Sequence, residues 1–383
     1  MSLSGRQRLQ RTLRREPVDR VPIAPFLYYN AVYEMFGYEP RIDEFFDPPD
    51  FDPMEKCIEY CDRFGFDVLH VLGGAWHAYE MTQPGANWDV RIDEEGDETA
   101  RRRTITIRTP EGELRQTENV KRSSRHLVVS AIDEYLLKSK ADFELFRKYA
   151  PPAEDMDCSL VTRARRAVGD RGLSTPCTHG AFNVMNMVRK LDDLMMDPYL
   201  DEDFYREMAE YFLERLVIQA RKLVEAGADV IEIGGNMATS QVGPRFFERF
   251  VLDYERRLIA AIHQLGAPVI YHNCGDAAKI MHLYNRLETD VWGYLTPPPF
   301  GDVDLDEALR VVRTDMVLRG NIDQVEFLVK ASPSEVRGRV RGLLEKVKPR
   351  GNFILSTTDF FFDGTPYANI DAMADAGREF GRY

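Results

Sequence analysis

The segment Pro268-Val269-Ile270-Tyr271-His272-Asn273-Cys274-Gly275-Asp276 joins a short apolar strand to a polar tip that contains a glycine. Side chains alternate between the two faces of a β-strand, so His272 and Cys274 point to the same side. An imidazole and a thiol are both ligands that zinc favours. The segment therefore predicts a buried strand that carries half of a metal site at its end.

The same succession of an apolar strand and a helix recurs along the chain. Strands are predicted at 19–26, 67–72, 173–178, 229–235, 268–275, 290–295, 316–320 and 352–357. Helices are predicted at 30–36, 53–64, 133–148, 157–169, 201–226, 244–264, 277–287, 304–312, 333–347 and 369–380. No early strand runs into the G-x-G-x-x-G turn of a doubly wound dinucleotide-binding sheet. Eight strand-helix units without that turn predict an α/β fold, a closed (β/α)₈ TIM barrel.

Two segments lie outside this repeat. An arginine-rich stretch from Arg6 to Arg15 precedes the first strand and predicts an amphipathic surface helix, an N-terminal helical extension. Residues 87–121 interrupt the repeat after strand two, where 104–108 alternate, Pro110-Glu111-Gly112 forms a turn, and a second alternating run follows. We expect a β-hairpin insertion that covers the site or contacts a partner. The chain as a whole is expected to be a single barrel domain.

Composition and charge exclude several classes of protein. With 50 basic and 63 acidic residues the net charge is -13, which disfavours a nucleic-acid binder. No run approaches the roughly 18 apolar residues that indicate a membrane span, and the N-terminus lacks the apolar core of a secretory signal. The five cysteines are odd in number and lack the spacing of a disulfide framework, so we expect a reducing, cytoplasmic environment.

Catalytic residues of (β/α)₈ barrels lie at the C-terminal ends of the strands, so the polar residues there are the candidates. We select for catalysis Glu232, Asp323 and His179, and for substrate binding Tyr28, Asn30, Asn236, Tyr294 and Asn321. Structural alternatives remain open for several of them. Asp323 is equally an N-cap of the next turn, and Glu232 is equally a barrel-interior carboxylate paired with a cation. A lone histidine such as His179 or His70 is equally a hydrogen-bonded polar residue.

Six motifs are distributed along the chain: RREPVDRVP at 14–22, AGADVI at 226–231, YHNCGD at 271–276, RGNID at 319–323, FILS at 353–356 and GTPYANI at 364–370. Together they resemble the uroporphyrinogen decarboxylase superfamily. The resemblance implies a (β/α)₈ barrel and one of two chemistries. One branch decarboxylates the acetate arms of uroporphyrinogen without a cofactor, and the other comprises zinc-dependent methyltransferases that work with corrinoid proteins.

The residues after strand one favour the methyltransferase branch of this superfamily. True decarboxylases carry an arginine-rich R-Q-A-G-R-Y motif there, whereas this chain has Pro25-Phe26-Leu27-Tyr28-Tyr29-Asn30-Ala31, without arginine. A substrate with many carboxylates would lack its bidentate partners. The predicted mouth is aromatic, with Phe26, Tyr28, Tyr29, Trp76, Tyr294, Phe360, Phe361 and Phe362. Such a mouth suits an apolar or aromatic methoxy compound better than a polyanion.

The resemblance also implies a metal site. The methyltransferase branch uses H-x-C at one strand end, which His272 and Cys274 match, and a third ligand near the last strand. That ligand is usually cysteine, but the position counted back from Gly364-Thr365-Pro366 holds Asp359, which is equally a turn residue. Glu232 on the neighbouring strand would supply a further oxygen ligand. The alternative for His272 and Cys274 is a hydrogen-bonded histidine beside a buried thiol.

We therefore predict a zinc-dependent methyltransferase that moves a methyl group between a methoxy or thiol substrate and a corrinoid carried on a partner protein. Two alternatives stay open. One is a cofactor-free decarboxylase of a carboxylated, porphyrinogen-like substrate, and the other is a non-catalytic barrel that binds a small molecule.

Overall fold

The computed structural model describes residues 2–69, 82–235 and 238–383, and strands and helices alternate along most of them. In chain order the strands are β1 (Asp89–Gly96), β2 (Ala100–Thr109), β3 (Gly112–Arg122), β4 (Val128–Glu134), β5 (Cys177–His179), β6 (Ile231–Gly234), β7 (Val269–His272), β8 (Val291–Leu295), β9 (Val317–Ile322) and β10 (Phe353–Thr357). The helices are α1 (Gly5–Leu13), α2 (Tyr29–Phe36), α3 (Pro53–Phe64), α4 (Lys140–Tyr149), α5 (Ser159–Val168), α6 (Ala181–Val188), α7 (Leu191–Leu200), α8 (Glu202–Glu225), α9 (Pro244–Phe246), α10 (Leu252–Gln264), α11 (Met281–Tyr284), α12 (Leu305–Val311), α13 (Pro333–Val347) and α14 (Tyr367–Phe380).

A ring of eight parallel segments forms the centre of the fold. Six of them are the strands β5 to β10, which pair in sequence order. The predicted first and second strands complete the ring through isolated bridges, Ile23 with Leu355 and Val68 with Gly172. The amide of Asp67 donates to the carbonyl of Ile23 at 2.8 Å, which joins these two segments to each other. The prediction of a (β/α)₈ barrel is confirmed. Its first two segments pair with their neighbours through isolated bridges and are not continuous strands.

One apolar side chain from each of the eight segments fills a layer inside the ring. The layer consists of Ala24, Leu69, Leu173, Val230, Ile270, Val291, Val317 and Ile354. Leu9 and Leu13 of α1 pack into the same cluster, so the predicted N-terminal helix closes the N-terminal end of the barrel. Burial of each larger aliphatic side chain stabilises the fold by roughly 1.5–3 kcal/mol. The apolar layer and α1 therefore close the N-terminal end of the barrel in the described part of the chain.

The insertion after the second segment is an antiparallel sheet of four strands, in the order β1-β2-β3-β4. The predicted hairpin corresponds to β2 and β3, which pair up to Thr109 and Gly112 at the expected turn. The sheet extends beyond 87–121 to Glu134, so the helix predicted at 133–148 begins only at Lys140. The burial pattern of β1 and β4 is mostly exposed, which is why hydrophobic alternation did not reveal them.

Several helices differ from their predicted extents. The structure adds α6 and α7 between β5 and the long helix α8, which was predicted almost at its observed bounds. The helix predicted at 244–264 contains a π-helical turn, Phe247–Val251, and that predicted at 277–287 shrinks to α11. His70 and Trp76 lie outside the described residues. Within the described ranges, none of the helices combines the length and apolarity that a membrane crossing requires.

Buried charges attach α1 to the barrel. The carboxylate of Asp67 lies 2.5 Å from Arg8 Nη1 and 2.9 Å from Arg20 Nη1, and it also accepts a hydrogen bond from the amide of Ile23 at 2.9 Å. Arg8 and Asp67 are buried. Removing one member of such a buried set leaves its partners without compensation.

We expect Asp67→Ala to lower the free energy of unfolding by about 3–5 kcal/mol, because two cations lose their buried partner. The matched control is Asp62→Ala, which removes the half-exposed ion pair with Arg171 and should cost about 0–1 kcal/mol. Urea denaturation of both variants measures the difference. Equal losses would show that the buried cluster does not hold α1 in place.

Candidate active site

A chain of three charged or polar side chains crosses the barrel interior. Glu232 on β6 lies 2.7 Å from His272 Nδ1 on β7 through Oε1, and 3.4 Å from Arg319 Nη1 on β9 through Oε2. Glu232 and Arg319 are fully buried, and Arg319 also donates to the carbonyl of Ala24 at 3.1 Å. Because β6 and β9 are not neighbours, the ion pair of Glu232 and Arg319 spans the interior of the barrel.

The two nitrogens of His272 have different surroundings. A carboxylate partner only accepts hydrogen bonds, so Nδ1 carries a hydrogen. Nε2 is buried and close to the Cys274 thiol, but it makes no hydrogen bond of ordinary geometry among the described residues. Burial opposes the charged form, but Cys274 and Glu232 outweigh it and raise the pKa of His272 to about 10. The ring is therefore oriented by Glu232 and directs Nε2 toward whatever binds in the site.

Cys274 and Asp359 lie next to this histidine at the barrel mouth. Cys274 Sγ is 4.0 Å from Asp359 Oδ2, and Asp359 Oδ1 accepts from the amide of Phe360 at 2.8 Å. Burial raises the pKa of Asp359, whereas His272 lowers it. In the ranges that the structure describes, no three His, Cys, Asp or Glu side chains are close enough together to hold a metal ion as they stand. His272, Cys274 and Asp359 share one neighbourhood without forming a closed ligand set.

The loop that carries Cys274 is held by the loop after β8. The amide of Gly275 donates to Thr296 Oγ1 at 3.1 Å, and the amides of Ala277 and Ala278 donate to Asp302 Oδ1 at 2.7 and 2.8 Å. Gly275 has a φ of 81°, a left-handed conformation that favours glycine. These bonds fix the backbone on the C-terminal side of the candidate thiol ligand.

Aromatic rings enclose the space around His272. The ring of Tyr294 lies 4.8 Å from the imidazole, and that of Phe26 lies 5.4 Å from it, centroid to centroid. Phe26 is 6.3 Å from Phe360, which is in turn 5.1 Å from Tyr28. We call Phe26, Tyr28, Tyr294 and Phe360 the aromatic chamber. It provides an apolar environment around one oriented imidazole.

The inserted sheet covers a cavity of about 480 Å³ next to this chamber. Tyr28 and Phe360 line its barrel side, Phe45 and Phe46 line one wall, and the insertion contributes residues of β2, β3 and β4. The cavity size is typical of small-molecule sites. The insertion therefore lies over this cavity, next to the aromatic chamber.

Asp363 joins the inserted sheet to the loop after β10. Its carboxylate accepts from Ser124 Oγ at 2.5 Å, from the amide of His126 at 3.1 Å and from Asn30 Nδ2 at 2.9 Å. Asn30 Nδ2 also donates to the carbonyl of Phe361 at 2.8 Å. Asn30, a predicted substrate-binding residue, is fully buried and supports this junction.

The other predicted residues are spread around the mouth. His179 is the last residue of β5 and pairs with Gly234 of β6, and its Nδ1 lies 2.6 Å from the side-chain nitrogen Nδ2 of Asn183. Asp323 caps the turn after β9 by accepting from the amides of Val325 and Glu326 at 2.8 and 3.0 Å, its structural alternative. Asn321 lines a separate cleft of about 530 Å³ near α12 and α13. Asn236 lies outside the described residues.

Arg319 was not among the residues predicted for the site, although it lies in the RGNID motif at 319–323. An arginine within Val317-Leu318-Arg319-Gly320, an otherwise apolar strand, requires a buried carboxylate. Glu232 between Ile231 and Ile233 is the corresponding signal on the other side of the barrel. The two isolated charges in buried strands would have predicted their ion pair.

We expect Arg319→Met to lower the free energy of unfolding by about 3–5 kcal/mol, because Glu232 loses its buried cation. The double variant Arg319→Met, Glu232→Gln removes the unpaired charge and should recover part of that loss. Urea denaturation of chelator-treated protein gives both values. A loss below about 1 kcal/mol in the single variant would argue against a strong buried pair.

Glu255 on α10 is a second buried carboxylate that sequence reasoning missed. It is fully buried, and its Oε1 accepts from the amide of Phe182 at the start of α6 at 3.4 Å. A Cβ at Gly180 would lie 2.3 Å from both carboxylate oxygens, so only glycine allows this approach next to His179. Burial raises the pKa of Glu255 to about 8, although the amides of Phe182 and Ala181 lower it.

A folded-state pKa above the unfolded value stabilises the protein at low pH, and this contribution is lost as the pH rises through about 8. As the pH rises from 5 to 9, the unsubstituted protein should lose stability that Glu255→Gln keeps. We expect the free energy of unfolding of Glu255→Gln to rise by about 3–5 kcal/mol relative to that of the unsubstituted protein. Glu248→Gln, at an exposed ion pair with Arg286, is the control. Urea denaturation as a function of pH would contradict this assignment if both variants followed the same curve.

Comparisons with known proteins agree with this fold. Residues 126–380 match the family described as uroporphyrinogen decarboxylase (URO-D). Methylcobamide:CoM methyltransferase MtbA from Methanosarcina mazei is 21% identical over 385 residues, 98% of each chain. A uroporphyrinogen decarboxylase from Solibacter usitatus is 27% identical over 182 residues, 48% of this chain and 50% of that protein.

A solved methyltransferase from Methanosarcina mazei superimposes with a TM-score of 0.69 at 16% identity and covers 99% of each chain. A B12-independent methionine synthase from Shewanella sp. W3-18-1 gives 0.52 at 13% identity, over 94% of this chain and 97% of that one. At these identities the structures establish the fold alone. The family match, which spans well over half of the sequence, shows that the chain belongs to the uroporphyrinogen decarboxylase family.

Proposed function

We propose that the chain is a zinc-dependent methyltransferase that moves a methyl group between a small methoxy or thiol substrate and the corrinoid of a partner protein. The observation that carries the proposal is the environment of His272, whose Nδ1 faces Glu232 while Nε2 is buried without a partner among the described residues. In metal-binding histidines the N–H of the other ring nitrogen characteristically donates a hydrogen bond to a carboxylate, which fixes the ring and raises its basicity. The relatives named as methylcobamide:CoM and methylated-thiol–coenzyme M methyltransferases support the reaction class.

His272, Cys274 and Asp359 are the residues that would hold the metal. An imidazole, a thiolate and a carboxylate all belong to the donor set of zinc, and three protein ligands leave a position for substrate. Glu232 fits the role of orienting carboxylate better than its predicted role of ligand, since its two oxygens face His272 and Arg319. Metal binding would displace the proton that the high pKa of His272 retains.

When bound, the zinc would act as a Lewis acid that stabilises negative charge on the oxygen or sulfur exchanging the methyl group. The chain's own residues orient the substrate and exclude water. The aromatic chamber surrounds the reacting group, and the cavity beneath the insertion accommodates the body of a small molecule. Glu232 keeps His272 in one orientation throughout.

The remaining candidates have more limited support. His179 stays a proposed proton-transfer residue at the mouth, and Tyr28 and Tyr294 stay proposed substrate contacts in the aromatic chamber. Asn236 and Asn321 stay proposed substrate-binding residues, Asp323 stays a proposed catalytic residue, and Asn30 contributes through Asp363. We propose the reducing cytoplasm as the compartment, since all five cysteines are unpaired and a thiolate ligand must stay reduced.

The charge of the cavity disfavours a decarboxylase of a polycarboxylate. Three acidic side chains line it, Asp43, Asp47 and Glu118, of which Asp43 pairs with Arg41 and Arg101. Arg103 is the one cation among the described lining residues, and it pairs with Glu94. A substrate with several carboxylates would be repelled rather than held. A non-catalytic barrel is disfavoured as well, because a buried unpaired ring nitrogen costs stability without serving a purpose.

We expect the purified protein to contain about one zinc per chain, as a single site predicts. Glu232→Gln should weaken zinc binding about 10–100-fold by releasing His272, and Cys274→Ser should weaken it further by removing a ligand. Competition with a chromophoric chelator measures these affinities. Cys158→Ser, a partly exposed cysteine remote from the site, is the control.

The same proteins test the reaction through methylation of cob(I)alamin, which is followed by its absorption under anaerobic conditions. Methyl transfer that persists at full rate in the zinc-free protein, or zinc affinity that is equal in Cys274→Ser and Cys158→Ser, would overturn the proposal.

A further inference from the structure

The hydroxyl group of Tyr294 lacks a hydrogen-bond partner among the described residues, although the side chain is fully buried. Its ring is fixed by packing: the Arg319 guanidinium lies 4.5 Å from the ring centroid, and Phe26 is 5.6 Å away. A buried hydroxyl without a partner costs free energy, and such groups in native proteins require an explanation. A rigid, unpaired hydroxyl beside a candidate site is explained by a ligand that accepts a hydrogen bond from it.

A second unsatisfied atom lies next to it. The ring of Tyr294 is 4.8 Å from that of His272, whose Nε2 is also buried without a hydrogen bond of ordinary geometry among the described residues. Phe26 packs against both rings, Arg319 binds Glu232, and the proposed metal ligands Cys274 and Asp359 lie beside the two rings. The group that binds near His272 therefore lies within the same small chamber as the Tyr294 hydroxyl.

We propose that the hydroxyl of Tyr294 donates a hydrogen bond to the substrate atom from which the methyl group leaves, and that this atom is the oxygen of an uncharged methyl ether. This inference rests on the proposed methyltransferase function and selects between its two substrate classes. A hydroxyl forms a short, strong hydrogen bond with oxygen, whereas thioether sulfur is a weak acceptor. The aromatic chamber and the acidic cavity lining favour a neutral, apolar substrate body.

The proposed step balances as a displacement at the methyl carbon. The carbon–oxygen bond breaks and its electron pair stays on oxygen, which leaves as an alkoxide or phenoxide. The cobalt(I) corrinoid of the partner supplies the electron pair of the new cobalt–carbon bond and becomes methylcobalt(III). Tyr294 keeps its proton, and its hydrogen bond strengthens as charge develops on the oxygen. The product oxygen takes its proton from solvent after release.

Tyr294→Phe tests this role because it removes the hydroxyl and keeps the ring that contacts His272, Phe26 and Arg319. The zinc-loaded protein is assayed with cob(I)alamin and two substrates that differ in one atom, methoxybenzene and methyl phenyl sulfide. We expect kcat for the ether to fall about 10²–10³-fold, as on removal of one oxyanion donor, and kcat for the sulfide to change less than about 3-fold. An equal loss with both substrates would overturn the proposal.

Tyr284→Phe is the matched control. Tyr284 is also fully buried with an unpaired hydroxyl, but its ring packs against Phe247 and Trp292 outside the chamber. Its removal should leave the ratio of ether to sulfide rates unchanged. A shift of that ratio as large as in Tyr294→Phe would overturn the assignment to Tyr294.

Binding gives a readout that does not depend on turnover. Calorimetric titration of the protein without corrinoid should show phenol binding about 10-fold more weakly to Tyr294→Phe, the equivalent of one lost hydrogen bond, with thiophenol unaffected. Parallel losses for phenol and thiophenol would overturn the hydrogen bond to oxygen. If the unsubstituted protein transfers methyl from neither substrate, the proposed function fails, and the phenol titration still decides whether Tyr294 binds an oxygen acceptor.

Discussion

The ion pair of Glu232 and Arg319 is the constraint on which the site depends. Both side chains are fully buried, and neither is tolerated in an apolar barrel without the other. Arg319 engages one oxygen of Glu232 and leaves the other for His272 Nδ1. The orientation of the candidate ligand is therefore determined by a charge on the opposite side of the barrel. Displacing Glu232, Arg319 or His272 would leave a buried charge without its partner, so the three side chains hold one another in place.

The two ends of the barrel serve different purposes. At the N-terminal end, α1 adds Leu9 and Leu13 to the apolar layer and is attached by the ion pair of Arg8 and Asp67. At the other end the same ring of segments carries polar side chains and an aromatic chamber. The closed end excludes a channel through the barrel, so substrate and partner must both approach from the side that the insertion covers. If the proposed function is correct, a small molecule would bind between the barrel and the partner that exchanges the methyl group.

Sequence alone predicted the architecture because the barrel strands are apolar runs with a clear period. It also placed His272, Cys274 and Asp359 together, since residues at strand ends converge in such a barrel. It left open whether Glu232 is a ligand, a catalytic residue or a barrel-interior carboxylate paired with a cation, because its partners Arg319 and His272 lie on other strands. It missed β1 and β4, which are mostly exposed and lack alternation, and it missed Glu255, whose role depends on the missing Cβ of Gly180.

The loop after β10 connects the inserted sheet to the candidate metal site. Asp363 accepts hydrogen bonds from Ser124 and His126 of the insertion, and it lies four residues beyond Asp359 in the loop after β10. Phe360 in the same loop forms a wall of both the aromatic chamber and the covered cavity. Displacement of the insertion to admit a substrate or a bulky partner would break the bonds to Asp363 and release the loop that carries the third candidate ligand. Closure of the insertion would restore that loop, so under the proposed function enclosure of the substrate would be coupled to the position of Asp359.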